Sequence, residues 1–369
     1  MRSPNSLMLQ TDIEQQILQG VSRSFALTIP QLPRNLCRTV RNAYLLCRIV
    51  DTIEDEVSLS IDQKRTFFHE FIDVVNGNLS ADKFAAQLYP LLCNKTLTAE
   101  KELIQNTPIV IRTLFSFSKA QQSVLRRCVK VMATGMLKFQ EIKSPNGLKS
   151  LSHMSSYCYH VAGVVGEMLT DLFCGYSEDI SKNRENLISL AASFGQGLQM
   201  TNILKDLWED KKRGACWLPQ DVFNDVGFDL KNLTAGAYSP TFSQGLAELI
   251  GLAHAHLKNA LSYTLLIPRH ETGIRKFCLW AIGMAILTLQ NINKTRNYTS
   301  GGDVKISRKS SRMVILVSNT TLRSNALLKM FFKIATRGLP AANSIKPSLG
   351  PAISYAVEDL PLKYQSSAD

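Results

Sequence analysis

Between Gln15 and Leu289 the apolar residues recur mainly three and four positions apart, the spacing of a buried stripe on a helix. Alternation over five or more residues, which would mark a strand, is scarce. Breakers fall where helices should end: Pro30 with Pro33, Pro90, Pro108, Pro145 with Gly147, Gly214 with Pro219, Pro240, Pro268, and Gly301 with Gly302. The pattern predicts an all-α fold. With no fixed-period repeat and no low-complexity linker, it predicts one domain over residues 1–340. Residues 341–369 hold Pro347, Pro351 and Pro361 with little periodicity and read as a loosely ordered tail. The longest uncharged apolar run is Phe277 to Leu289, thirteen residues. About 20 are needed to span a bilayer, so a buried core helix is expected there.

The stretch after this run has another texture. Asn297 to Gly302 reads as a turn, and Val304 to Arg312 is too polar for core. Met313 to Val317 is compatible with strand or helix, and Leu327 to Ile334 reads as a short amphipathic basic helix. Charge concentrates here. The 369-residue chain has 42 Lys and Arg against 30 Asp and Glu, a net charge of +12, and residues 291–340 hold ten basic side chains against the single acid Asp303. An anionic partner is implied: a phosphate-bearing substrate, a lipid surface or nucleic acid. No helix-turn-helix, zinc finger or aromatic stacking platform supports nucleic acid. A solvated or membrane-facing patch and an anionic-cofactor site stay open.

Hydrophobic residues at 45% and charged residues at 20% exclude a disordered chain. A mean hydropathy of -0.02 argues against a polytopic membrane protein. The eight cysteines form no CxxC pair, and Asp12 and Glu14 interrupt any early apolar run. Reduced thiols in a cytoplasmic protein are expected. Fingerprints of dinucleotide-binding sheets, P-loops, serine hydrolases and zinc proteases are missing.

Two carboxylate clusters carry the candidate chemistry. In Asp51-Thr-Ile-Glu54-Asp55 the spacings i,i+3 and i,i+4 put three acids toward one side of a helix. Such acids repel and call for a positive partner. In the second cluster Asn202, Asp206 and Asp210 step by four and span about 80° of helix face. Glu209 lies beside them and Gln199 one turn earlier. Leu45, Leu46, Ile49, Val50 and Ile53 surround the first cluster, and Ile203, Leu204 and Leu207 the second, so both belong at the rim of a core. Oxygen donors without His or Cys suit Mg²⁺, which binds one or two carboxylates, waters and phosphate oxygens. Arg48, Lys205 and Arg213 stand three, one and three positions from these acids, and Ser22-Arg23-Ser24-Phe25 adds an arginine between hydroxyls. These residues suit a phosphate group or local pairing with the acids. In Tyr157 to Gly166 the glycines at 163 and 166 admit a second helix or a lipid chain. Tyr157 is a buried core residue or a proton-handling group.

The order Ser22-Arg-Ser-Phe25, Arg48-Ile-Val-Asp-Thr-Ile-Glu-Asp55, Tyr157 to Gly166, and Gln199-Met-Thr-Asn-Ile-Leu-Lys-Asp-Leu-Trp-Glu-Asp210 resembles the squalene/phytoene synthase family. The resemblance covers roughly residues 15 to 320. It implies an isoprenoid synthase helical bundle with a central cavity, and head-to-head condensation of two prenyl diphosphates. The Tyr157 string, and Phe277-Cys278 followed by Val304-Lys305-Ile306, resemble the squalene branch. That branch joins two farnesyl diphosphates to presqualene diphosphate and reduces it with NADPH. Phytoene, dehydrosqualene or unreduced presqualene diphosphate stay open as products, and outside the family so does a non-catalytic helical protein that binds lipid or anions.

The resemblance implies that Asp51, Glu54, Asp55, Asn202, Asp206, Glu209 and Asp210 act around Mg²⁺ and that Tyr157 is the catalytic tyrosine. It implies Ser22, Arg23, Phe25, Tyr44, Arg48, Gln199, Lys205 and Arg213 for the substrate, and Arg23, Arg48, Lys205, Lys305 and Arg308 for the cofactor. Lys205 stands where the family usually has Arg, and Ser307 interrupts the family's basic run. The tail has no membrane helix of the kind eukaryotic squalene enzymes carry. A monomeric, soluble or peripheral enzyme is therefore expected, with a membrane surface met through Leu327 to Arg337.

Overall fold

The structure, a computed structural model, describes residues 4–22, 24–237 and 239–342, with side chains from Ile13 onward. Arg23 and most of the tail lie outside the described residues. Helices run in the order α1 (Pro4–Val21), α2 (Phe25–Thr28), α3 (Arg34–Asp55), α4 (Ile61–Asn76), α5 (Ala81–Leu88), α6 (Thr98–Gln105), α7 (Thr107–Leu114) and α8 (Lys119–Glu141). They continue as α9 (Leu151–Cys158), α10 (Val164–Tyr176), α11 (Glu178–Ser181), α12 (Arg184–Lys212), α13 (Gln220–Asp225), α14 (Pro240–Leu266), α15 (Thr272–Lys294), α16 (Arg308–Thr321) and α17 (Asn325–Ala335). Among the described residues there is no sheet, only an isolated bridge between Leu148 and Pro219. The all-α expectation holds.

The chain forms two compact units. One holds the residues up to Ile142 together with Met168–Ser181, and the other holds Lys143–Glu167 and the residues from Lys182. In the first, Pro33 caps α3, because proline has no N–H to give a helix interior but tolerates the position before it. Ser60 with Gln63 and Ser118 with Gln121 form reciprocal capping boxes that start α4 and α8. α3 packs on α1, α4 and α8. Its Leu45, Leu46, Ile49, Val50 and Ile53 are wholly buried, so its acids do lie at a core rim.

In the second unit α12 packs along α14, and α14 along α15. The Phe277–Leu289 run lies within α15. Among the described residues α15 alone is long and apolar enough to cross a membrane, and 67% of its apolar window is buried within the protein, as in a core helix. Met313 to Val317 resolves as helix, within α16, and the basic amphipathic segment forms α17. Val304 departs from expectation. It is fully buried although its neighbours are polar and Lys305 is exposed. All eight cysteines are free thiols.

Helices α9 and α10 are joined by one π-helical turn, Tyr159–Gly163. The glycines there admit a helix. A Cβ on Gly166 would lie 2.0 Å from the Ala191 carbonyl oxygen, and one on Gly195 would lie 2.0 Å from that of Ala162. α12 thus meets this segment backbone to backbone, which only glycine permits.

Candidate active site

In the first unit the site grows from one face of α3, where Tyr44, Arg48, Asp51 and Asp55 follow at steps of four, three and four. Arg48 joins two acids. Its Nη1 donates to Asp51 Oδ2 at 3.4 Å and its Nη2 donates to Glu100 on α6. Both Arg48 and Asp51 are half-buried. Burial pushes the Asp51 carboxyl up to about 6, Arg48 opposes this, and the neighbouring Asp55 adds to it. For Arg48 burial favours loss of the proton, but Asp51 and Glu100 outweigh it and hold the guanidinium charged. Tyr44 donates to the Val21 carbonyl at 3.4 Å and lies against Phe25, ring centres 5.2 Å apart. Ser22 Oγ accepts the Phe25 amide at 3.0 Å. Ser22, Phe25, Tyr44, Arg48 and Asp51 are therefore brought together, and Glu100 is a member that sequence reasoning missed.

Glu54 departs from the expected set. It turns inward, accepts from Gln140 Nε2 at 3.1 Å, and is nearly inaccessible. Lys64 Nζ donates to its backbone carbonyl and, at 3.2 Å, to Gln140 Oε1. Burial, then the charges of Asp55 and Asp51, push its carboxyl up to about 8. The reason is helical geometry. At 100° per residue Glu54 lies about 100° from Asp55, far enough for one to face the core while the other is exposed.

In the second unit α12 presents Asn202 exposed, Asp206 half-buried and Asp210 buried. Lys205 Nζ lies 3.1 Å from Asp206 Oδ2, and Arg213 donates to Asp210. Burial raises the Asp206 pKa, Lys205 opposes it and Glu209 adds to it. Of the two readings for the flanking cations, local pairing is the one present for Arg48, Lys205 and Arg213. Gln199 is half-buried one turn earlier.

The turn read at Asn297 to Gly302 closes on this helix, a contact that sequence reasoning missed. Tyr298 donates its hydroxyl to the Leu204 carbonyl, and Trp208 Nε1 donates to the Tyr298 carbonyl at 2.6 Å. Glu209 is held by the loop as well, accepting the Gly301 N–H at 3.0 and 3.2 Å. Asp303 braces the loop by accepting the amides of Thr299 and Ser300 at 2.8 and 3.0 Å. A Cβ on Gly301 would lie 3.0 Å from the Lys205 carbonyl and 3.2 Å from Asp206 Oδ1. Glu209 is thus a loop anchor in this structure.

Tyr157 is buried and stacks on Trp217, centres 4.0 Å apart and planes 9° from parallel. Trp217 had no signal of its own, lying in a segment read only as a break. Lys305 and Arg308 are exposed. Asn291 Nδ2 donates to the Val304 carbonyl at 3.1 Å, and Ser307 Oγ caps α16. Among the described residues no three His, Cys, Asp or Glu side chains converge into a metal cage.

The model of the squalene/phytoene synthase family matches residues 18–310. Squalene synthase ERG9 of Gibberella zeae is 28% identical over 74% of this chain and 56% of its own length. Squalene synthase ERG9 of Saccharomyces cerevisiae is 27% identical over 84% of this chain and 67% of its own. The chain thus spans between half and about two thirds of these curated relatives. The structure of TcSQS with the ligand E5700 superposes with a TM-score of 0.68 at 22% identity, covering 89% of this chain and 91% of that one, which is a likeness of fold. The motifs lie within the matched span in the family's order, and the chain belongs to the squalene/phytoene synthase family.

Proposed function

We propose that this chain is a squalene synthase. It joins two farnesyl diphosphates head to head through presqualene diphosphate and reduces that intermediate with NADPH, acting as a monomer. The observation that carries the reading is the pair of rim aspartates. Asp51 and Asp206 each sit half-buried beside a cation on an apolar helix, with burial raising both carboxyls. Half-buried carboxylates with raised proton affinity beside a cation are the kind of group that gathers at functional sites. The squalene synthases among the relatives favour the same reading.

The donors fit Mg²⁺. They are oxygen-only carboxylates and an amide on core-rim helices, a donor set that suits an ion completed by waters and phosphate oxygens. Asp51 and Asp55 would hold an ion on the first unit, and Asn202 and Asp206 one on the second, with the buried Asp210 one turn beyond Asp206. When bound, Mg²⁺ neutralises the charge that develops on departing diphosphate. Arg48, Lys205 and the Ser22 hydroxyl bind diphosphate oxygens, Lys205 as a point charge. The Tyr44 and Phe25 rings orient the first carbons of the chain. Tyr157, fixed by Trp217, assists removal of the proton lost when the two chains couple. Lys305 and Arg308 are exposed cations that fit the phosphates of NADPH, which supplies hydride.

The test is substitution of the two aspartates. Asp51→Asn and Asp206→Asn should each lower product formation by about 100-fold or more while circular dichroism stays unchanged. Near-normal turnover in both removes the metal assignment.

A further inference from the structure

Helix α17 is fixed on one side and bare on the other. Underneath, Leu328 and the preceding Leu322 pack with Leu261 and Leu279, with Phe332 alongside. Polar contacts lock both ends. Arg275 Nη2 donates to Asn325 Oδ1 at 2.7 Å, and Gln290 Nε2 donates to the carbonyls of Ala335 and Arg337 at 2.9 and 3.0 Å. On the far side Leu327, Met330 and Ile334 form a stripe at i, i+3 and i+7, exposed by 40%, 46% and 60%. Lys329 and Lys333 run along its flank, also exposed. α16 repeats the theme, with Met313 and Leu316 exposed by 53% and 58% beside Lys309 and Arg312. Residues 304–342 hold eight Lys and Arg and no Asp or Glu. Near the turn joining these helices is a cavity of about 370 Å³ lined by Thr272, Lys276, Asn319, Thr320, Leu322 and Arg323.

A face with exposed apolar side chains, basic flanks and no acid is complementary to an anionic bilayer. Its apolar stripe would enter the acyl boundary while the lysines meet phosphates. The cavity combines two cations with hydroxyl and amide groups, the donors a phosphate headgroup takes. We propose that α16 and α17 are an interfacial docking face for an anionic lipid bilayer, with the Lys276–Arg323 cavity receiving one lipid phosphate. The face shares no residue with the acid helices, so the proposal does not rest on the prenyl-transfer reading.

The experiment is co-sedimentation of the full chain with vesicles of phosphatidylcholine alone, or with about a third phosphatidylglycerol. At about 1 kcal/mol per cation near such a surface, even two or three engaged cations give roughly a 30- to 160-fold preference for the anionic vesicles. That preference shrinks as salt shortens the screening length. Lys329→Glu with Lys333→Glu should cost at least about tenfold in vesicle affinity by the same rule. Met330→Ser with Ile334→Ser should weaken binding to the anionic vesicles, and Lys276→Ala with Arg323→Ala should reduce the headgroup preference. The α17 positions and Arg323 are exposed and Lys276 is half-buried, and a melting temperature measured for each variant keeps a folding defect distinguishable. Binding that is equal for both vesicle types, absent from both, or unaffected by the α17 substitutions overturns the proposal.

Discussion

Glu14 offers a sharp test of the packing that holds α3. It lies on α1, wholly buried, and accepts from Asn42 Nδ2 at 2.8 Å, while the same amide also donates to the Val110 carbonyl at 2.8 Å. Burial pushes its carboxyl from 4.5 up to about 6, against Asn42 and the more distant Arg41 and Arg38. A carboxyl raised by folding contributes stability that is fully present below 4.5 and lost as pH rises through about 6. A tenfold difference in proton affinity between folded and unfolded chain is worth about 1.4 kcal/mol, so the loss is about 2 kcal/mol. Glu14→Gln keeps the acceptor for Asn42 and cannot ionise, so it should escape that loss. With an unfolding entropy of about 2 cal/mol/K per residue, the variant should melt higher than the parent above pH 7. The gain is about 3 °C if the chain unfolds together and about 6 °C if the unit holding Glu14 unfolds alone. Near pH 4.5 the two proteins should melt within about 1 °C of each other by the same conversion. Thermal melts followed by circular dichroism from pH 4.5 to 8 supply the data. Parallel curves for the two proteins would refute the reasoning.

The close approach of α12 to the π-helical turn predicts that Gly166→Ala and Gly195→Ala each cost about 3 kcal/mol or more in urea unfolding, because the new Cβ meets backbone and not a movable side chain. Gly175→Ala, with nothing within 4 Å, is the control and should be neutral or stabilising by up to about 1 kcal/mol. Tyr298→Phe removes the donor to the Leu204 carbonyl and should cost about 1 kcal/mol. Limited proteolysis within residues 299–303 should then run faster, and an unchanged digestion rate would argue that the loop is held by other contacts.

Features written in local spacing were legible from the chain alone. The three-and-four periodicity announced the helical class, the breakers marked several helix boundaries, and the like-charged acids on α3 called for the cation that Arg48 supplies. The glycines at 163 and 166 announced a close approach, although their partner Gly195 did not stand out within an ordinary helix. Contacts across long separations were not legible. Glu100 reaches Arg48 across 52 residues, and Gly301 reaches Glu209 across 92, with no periodicity to announce either. Trp217 stacks on Tyr157 from an irregular segment, where one-dimensional pattern says little about facing. Glu54 shows the limit of helical spacing as a guide. Three acids within one turn still span enough of the circumference for one to enter the core.

Coupling of two prenyl chains at the acid helices is tested most directly by incubation with farnesyl diphosphate and Mg²⁺, with and without NADPH, followed by mass spectrometry of the lipid extract. Squalene formed only when NADPH is present is the predicted result. Failure to consume farnesyl diphosphate or release diphosphate under either condition would contradict it.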